Sequence, residues 1–342
     1  MRARICLLLL TPGAGVWASA ALANTVTLTV GASVGASDEY RTISAAVAAA
    51  DADNDPSNYY DIRVVPGTYI NDFPYVTRPM TIEVDPLYAG KRAILKSTEN
   101  LPNEKGIILT TASLTVNGLD FTGAKISDAL GGNGAGTRDQ NRAPGASLVV
   151  QNSIFTGNQE GILTGDDPDE VITIVNSRFV NNGNPNLNYF QHGLYVNYAY
   201  SLTVSDSLFC GQLIGHDIKS RAQITIVENN QLYDGAANSA LGCRAGSTSL
   251  AVDVPNGGAA TISGNQIVQG STTQNYKMVD YGEEGLLYSN NNFLVSGNSF
   301  TSSGTPSATA VYDPDCVPVQ LQNNTFSEIT TIVDPPACAV NQ

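Results

Sequence analysis

Apolar and polar positions alternate in short runs along most of this chain, and the runs recur. The unit reads apolar-x-apolar, then Asn, Asp or Gly, then a large apolar residue, usually Phe, at intervals of roughly 22 to 35 residues. Clear copies are Leu114-Thr-Val-Asn-Gly-Leu-Asp-Phe121, Leu148-Val-Val-Gln-Asn-Ser-Ile-Phe155, Ile172-Thr-Ile-Val-Asn-Ser-Arg-Phe179, Leu202-Thr-Val-Ser-Asp-Ser-Leu-Phe209 and Ile224-Thr-Ile-Val-Glu-Asn-Asn-Gln-Leu232. Weaker copies end at Ile267, Phe300 and Phe326. Period-two alternation buries one face of a strand. The Asn, Asp or Gly that follows suits a tight bend near the left-handed region. A second strand follows in most copies, opening at Gly161-Ile-Leu, Gly193-Leu-Tyr-Val, Asp217-Ile-Lys-Ser and Gly285-Leu-Leu. No segment after Leu109 sustains a 3.6-residue period, so the body is expected to hold essentially no helix.

Short strands, about one coil per repeat and polar bends predict an all-β solenoid, a right-handed parallel β-helix. A sandwich would need hairpins with paired turn residues. Thr42-Ile-Ser-Ala-Ala-Val-Ala-Ala-Ala predicts a short amphipathic helix capping the first coil. The succession Tyr40-Arg-Thr-Ile-Ser-Ala-Ala-Val, Ile62-Arg-Val-Val-Pro-Gly-Thr-Tyr69 and Arg78-Pro-Met-Thr-Ile resembles the opening of pectin-lyase-like β-helix proteins. With the repeats, the resemblance covers nearly all of the chain after residue 23. It implies the fold and leaves the reaction open among lyase, epimerase, esterase, glycosidase and non-enzymatic adhesin.

Residues 1–23 carry Arg2 and Arg4, an apolar run over 5–10 and Ala21-Leu-Ala23 before Asn24, the pattern of a secretory signal cleaved after Ala23. The expected destination is secreted or periplasmic. The remainder, 24–342, reads as one domain, with a cap and first coils over 24–108 and regular coils over 109–342. No later apolar run approaches the ~18 residues of a membrane span. The net charge of −14 becomes −14 − 2 = −16 without Arg2 and Arg4. That balance argues against nucleic acid and anionic membrane as partners. A monomer is expected, and an anionic polysaccharide would require a local basic island. Beyond Cys6, the four cysteines Cys210, Cys243, Cys316 and Cys338 suit two disulfides. Three connectivities are open, with Cys316–Cys338, about one coil apart, the expected pair.

Beyond the signal the chain holds two histidines, His192 and His216, separated by 24 residues like Phe155 and Phe179. They should stack on adjacent coils. Aligning Gln191-His-Gly-Leu-Tyr-Val-Asn197 with Gly215-His-Asp-Ile-Lys-Ser-Arg221 places Tyr195 over Lys219 and Asn197 over Arg221. Alternation then sends Tyr195, Asn197, Asp217, Lys219 and Arg221 outward. Aligning Leu241 with Ile218 adds Arg244 above Arg221, completing a cationic island. The segment 128–147, with Arg138, Asp139 and Arg142, reads as a long Gly-rich loop, either one wall of a groove or a floppy insertion. The competing bland reading is that outward Lys and Arg are solvated and corner histidines bond to backbone.

The island contains what β-elimination on a uronic-acid polymer needs. Arg221 and Arg244 would neutralise the carboxylate, Lys219 or a histidine would take the proton, and Tyr195 would serve as acid or second base. Asn197, Asp217, Tyr198 and Arg244 would bind substrate. Re-protonation on the opposite face would give an epimerase instead. This arrangement resembles the polysaccharide lyases and alginate-type epimerases of the superfamily in residue types. No cofactor is required, although the acidic stretch Gly165-Asp-Asp-Pro-Asp-Glu170, read as a turn, makes Asp166 and Asp167 candidate Ca²⁺ ligands. Asp166-Asp167, Gln191-His-Gly193 and Ile218-Lys219 also loosely resemble the motif order of polygalacturonase-type hydrolases, with Asp217 pairing Asp166 or Asp167 across a coil. A third reading is a non-catalytic binding surface on which Tyr189, Tyr195, Tyr198 and Tyr200 stack on sugars.

Overall fold

A computed structural model describes residues 24–31, 40–141, 143–186 and 191–341. The proposed signal, Arg142 and Tyr189 lie outside them. The chain winds as a right-handed parallel β-helix of three long sheets, with 12 strands in sheet I and 10 each in sheets II and III. Successive coils visit I, II and III in turn, so every strand pairs with its counterpart one coil away. Asn24–Val30, for example, pairs in parallel with Asn58–Val64. Helix Ile43–Asp51 buries Ile43, Ala46, Val47 and Ala50. Thr42 caps it by accepting from the Ala45 amide, and the Asp72 carboxylate accepts from the amides of Ile43 and Ser44 at 2.6 and 3.0 Å. A negative charge at a helix N-terminus answers both its unpaired amides and its dipole.

The repeated motif maps onto sheets I and II. Its alternating half forms strands such as Leu114–Asn117 and Ser147–Gln151, and its aromatic closes a sheet II strand such as Ile154–Thr156. The bend between them holds Gly118, Asn152, Asn176, Asp206 and Asn229 at positive φ, as the Asn, Asp and Gly there predict. Parallel register then stacks like on like. Phe121, Phe155, Phe179 and Phe209 form a column with centroids 4.7, 4.8 and 4.4 Å apart and rings within 7° of parallel. Each buried ring contributes ~1.5–3 kcal/mol through area alone.

That column dictates part of sheet III. A Cβ on Gly136, Gly161 or Gly193 would meet the rings of Phe155, Phe179 or Phe209 at 2.6, 2.7 and 3.3 Å, so glycine stands next to the start of the sheet III strands facing the column. Two disulfides, Cys316–Cys338 and Cys210–Cys243, pair all four cysteines among the described residues and fit an oxidising, extracellular setting. No described helix is long and apolar enough to cross a membrane.

Two segments depart from the sequence reading. The 128–147 stretch is not an open loop, because Ala135–Asp139 is a sheet III strand paired on both sides. Conversely, Gly285-Leu-Leu is no strand. The sheet III strand of that coil is Lys277–Tyr281, and Leu286 and Leu287 project into solvent at 38% and 57% exposure. An apolar dipeptide after glycine imitates a strand start, but only Lys277–Tyr281 finds parallel partners on both sides.

Candidate functional site

The outer face of sheet III gathers the chemistry. Leu194–Val196 pairs with His216–Ser220, setting Tyr195 opposite Lys219. Leu194, Val196, Ile218 and Ser220 are fully buried beneath them. His192 and His216 stack on adjacent coils, with centroids 4.8 Å apart, and the edge of His192 meets Tyr195 at 5.0 Å.

The next coil differs from the expected alignment. Lys219 faces Asp253 of Leu250–Val254, not the Leu241–Arg244 segment. That segment is tied to sheet II by Cys210–Cys243, and the Leu241 carbonyl accepts from Arg178. Arg244 is consequently exposed and away from Arg221. Asp217 is corrected as well. Near their start these sheet III strands carry two successive buried residues, as in Gly161-Ile162, Asp217-Ile218 and Ala251-Val252. Alternation therefore starts one residue late, and Asp217 is buried near Asp234. Burial, then the Asp234 charge, raises its carboxyl well above the usual range.

Nor is the island purely cationic. Lys219 Nζ lies 2.7 Å from Asp253 and 3.0 Å from Glu284. Arg221 donates Nε to the Tyr195 hydroxyl at 2.9 Å, Nη1 to Asn256, and Nη2 to Glu284 at 2.7 Å. Burial disfavours the charge on Lys219, but Asp253 and Glu284 outweigh it and raise its pKa. Lys219, a candidate base from the sequence, thus stays protonated. Burial works against Glu284 too, yet Lys219 and Arg221 hold it below the ordinary glutamate value.

The histidines differ from each other. His192 accepts the His216 amide at Nδ1 (3.0 Å), and its own amide donates to Glu160 at 2.6 Å. It is a buried corner residue with a fixed tautomer. His216 reaches Asp253 with Nε2 at 3.3 Å, and burial, with Lys219 adding to it against Asp253, lowers it to about 4. It is neutral at physiological pH. With Lys219, Asp253, Glu283 and Glu284 it lines a cavity of about 380 Å³.

Other expected residues stand apart. Asn197 is bound to the preceding coil, its amide and side chain both donating to Thr164 at 3.0 Å. Tyr198 is half-buried and its carbonyl accepts from Asp167. Asp167 opens a strand, Asp167–Val175, not a turn. Asp166 is exposed whereas Asp167 is buried, so the two do not converge as a pair, and Asp217 meets neither. Asp167 instead joins Asp139 and Glu170, where burial and the neighbouring carboxylates push Glu170 up to about 10. Among the described residues no three His, Cys, Asp or Glu side chains are arranged to hold a metal ion. A larger groove of about 600 Å³ follows Asn117, Asn152 and Asn176 beside Tyr88. Those amides bond one another at 2.8 and 2.7 Å, and no histidine lines the groove.

Sequence reasoning missed Asp253, Asp280, Glu283 and Glu284. A signal existed for the first two: Val252-Asp-Val254 and Val279-Asp-Tyr281 each carry one outward acid between buried residues. Glu283 and Glu284 follow a strand without forming one, and no periodicity marks them. No family model matches the chain, no curated protein matches it, and no solved structure matches it. The parallel β-helix, a fold compatible with carbohydrate-active enzymes, is the class that the structure establishes.

Proposed function

We propose that the outer face of sheet III binds a uronic-acid-containing polysaccharide and cleaves it by β-elimination. The observation that carries this reading is that Lys219, on the strand His216–Ser220, and Arg221, just past its end, aim their charged ends at a single carboxylate, at 3.0 and 2.7 Å. Such a clamp neutralises a uronate and favours proton loss from the adjacent carbon. His216, neutral and beside Asp253, takes that proton, and Asp253 stabilises the imidazolium formed. The C–H electrons become the new double bond as the glycosidic C–O bond breaks. Tyr195, whose oxygen already accepts from Arg221, donates its own proton to the leaving oxygen. Return of the proton from His216 to Tyr195 closes the cycle. The protein then acts outside the cytoplasm on an anionic glycan, without a required cofactor.

One observation favours hydrolysis as a second reading. Burial and Glu283 raise Asp280 to about 9, while hydrogen bonds from Asp280 and Lys277 hold Glu283 below the usual value. Carboxyls pushed apart in this way divide acid and base roles. Against it, Asp280 is wholly buried.

Incubating the purified protein with a panel of polyuronates separates the two. A rise in near-ultraviolet absorbance from the conjugated uronate end is expected. New reducing ends without that rise would transfer the assignment to hydrolysis, and silence in both would overturn a cleaving function.

A further inference from the structure

We infer that Glu284 is a built-in competitor, occupying the place of the substrate carboxylate until the segment that carries it swings aside. This deepens the uronate reading and rests on it. The two cations are held from below by the sheet. Lys219 keeps Asp253 at 2.7 Å, and Arg221 keeps Tyr195 at 2.9 Å and Asn256. Among the described residues, only Glu284 reaches them from outside, across 65 residues of sequence from Lys219. Its side chain is 46% exposed over cations exposed by 10% and 13%, so it closes the notch from the solvent side.

With Glu284 present, Lys219 and Arg221 balance Asp253 and Glu284. Without it, one positive charge remains, already oriented by sheet partners. The incoming group that fits is a carboxylate, the chemistry of a uronate and not of a neutral sugar.

The carrier is suited to moving. Gly282 and Gly285 flank the acid pair at φ 83° and 90°, a conformation that glycine adopts without strain. Outside the Glu284 contacts it is tied by Gly282 N to Val254 O, Glu284 N to Pro255 O, Leu287 N to Asn256 O, the Asn256 amide to Gly285 O, the Tyr288 hydroxyl to Arg221 O and Lys277 to Glu283, none of them part of a strand ladder. Leu287 lies largely in solvent and Leu286 is partly exposed, at 57% and 38%. Opening it therefore leaves the β-helix core intact.

The test is calorimetric binding of a uronate oligosaccharide, and of the same oligosaccharide with its carboxyls reduced to alcohols, to the full chain and to Glu284→Gln. Far-ultraviolet dichroism checks the fold. Removing the competing charge should tighten uronate binding up to about fivefold and leave the reduced oligosaccharide unchanged. Arg221→Gln added to Glu284→Gln should erase the gain. If the parent chain binds uronate and Glu284→Gln binds it equally or more weakly, the competitor role fails while the uronate site stands. If neither binds, both fall. A matching gain for the reduced oligosaccharide would make Glu284 a steric cover and overturn the charge argument.

Discussion

The interior of sheet II and the outer face of sheet III are built by the same parallel register, yet they use it in opposite ways. Inside, register stacks identical residues: Phe121, Phe155, Phe179 and Phe209 overlap ring on ring. Outside, one column runs Leu163, Tyr195, Lys219, Asp253, Asp280 and Tyr312, with no two neighbours alike until the aspartates. An inward side chain must fill the same cavity on every coil. An outward one is limited only by its neighbours, so a solenoid can place unlike groups at strand spacing. Sequence repetition therefore marks scaffold, and the break in repetition marks chemistry.

The comparison breaks most visibly at the ladder. Phe155→Ala should cost about 3–5 kcal/mol in denaturant unfolding, whereas Tyr195→Phe, on the outer face, should stay within about 1 kcal/mol and lose cleavage. Equal losses would mean that the outer row is also scaffold.

Asp234 sharpens the contrast from within. Burial raises its carboxyl to about 7 despite hydrogen bonds from Gln269 and Thr273. A folded-state value above the unfolded one means stability that is present below pH ~4 and lost as pH rises through about 7, on the order of 4 kcal/mol at most. Asp234→Asn should flatten stability across that window, and thermal midpoints measured between those pH values check it.

At the outer face, Arg221→Gln should lower turnover about 10²–10³-fold while unfolding remains cooperative. Loss of folding instead would class the residue as structural. His216 gives the smallest and opposite pH effect. Its folded value of about 4 lies below the ordinary histidine value, so its contribution is present above pH ~6.5 and lost as pH falls through about 4, on the order of 3 kcal/mol at most. His216→Asn should reduce acid lability. If the proposed elimination is right, the parent protein should also keep cleaving down to about pH 4, whereas a profile breaking near 6.5 would remove His216 as the base.

Much of this was legible beforehand because it is local. The alternating motif, the left-handed Asn and Gly bends, the capping helix, the Cys316–Cys338 pair and the facing of Tyr195 and Lys219 follow from period and spacing. The errors arose where coil length or strand phase changed. Leu241–Arg244 resembles a strand but is drawn aside by a disulfide, and Asp217 follows a double inward step that alternation does not encode.

The amino-acid order by itself determined the solenoid, since a period of two repeated at coil length has one way to bury its apolar face. It also determined that both histidines and the Lys219–Arg221 pair share a face on adjoining coils. Only the tertiary structure decided which acids meet them. Lys219 lies 34 residues from Asp253 and 65 from Glu284, and intervening segments of unequal length set those distances. Charge pairing across coils depends on register accumulated over whole turns, which no local pattern carries.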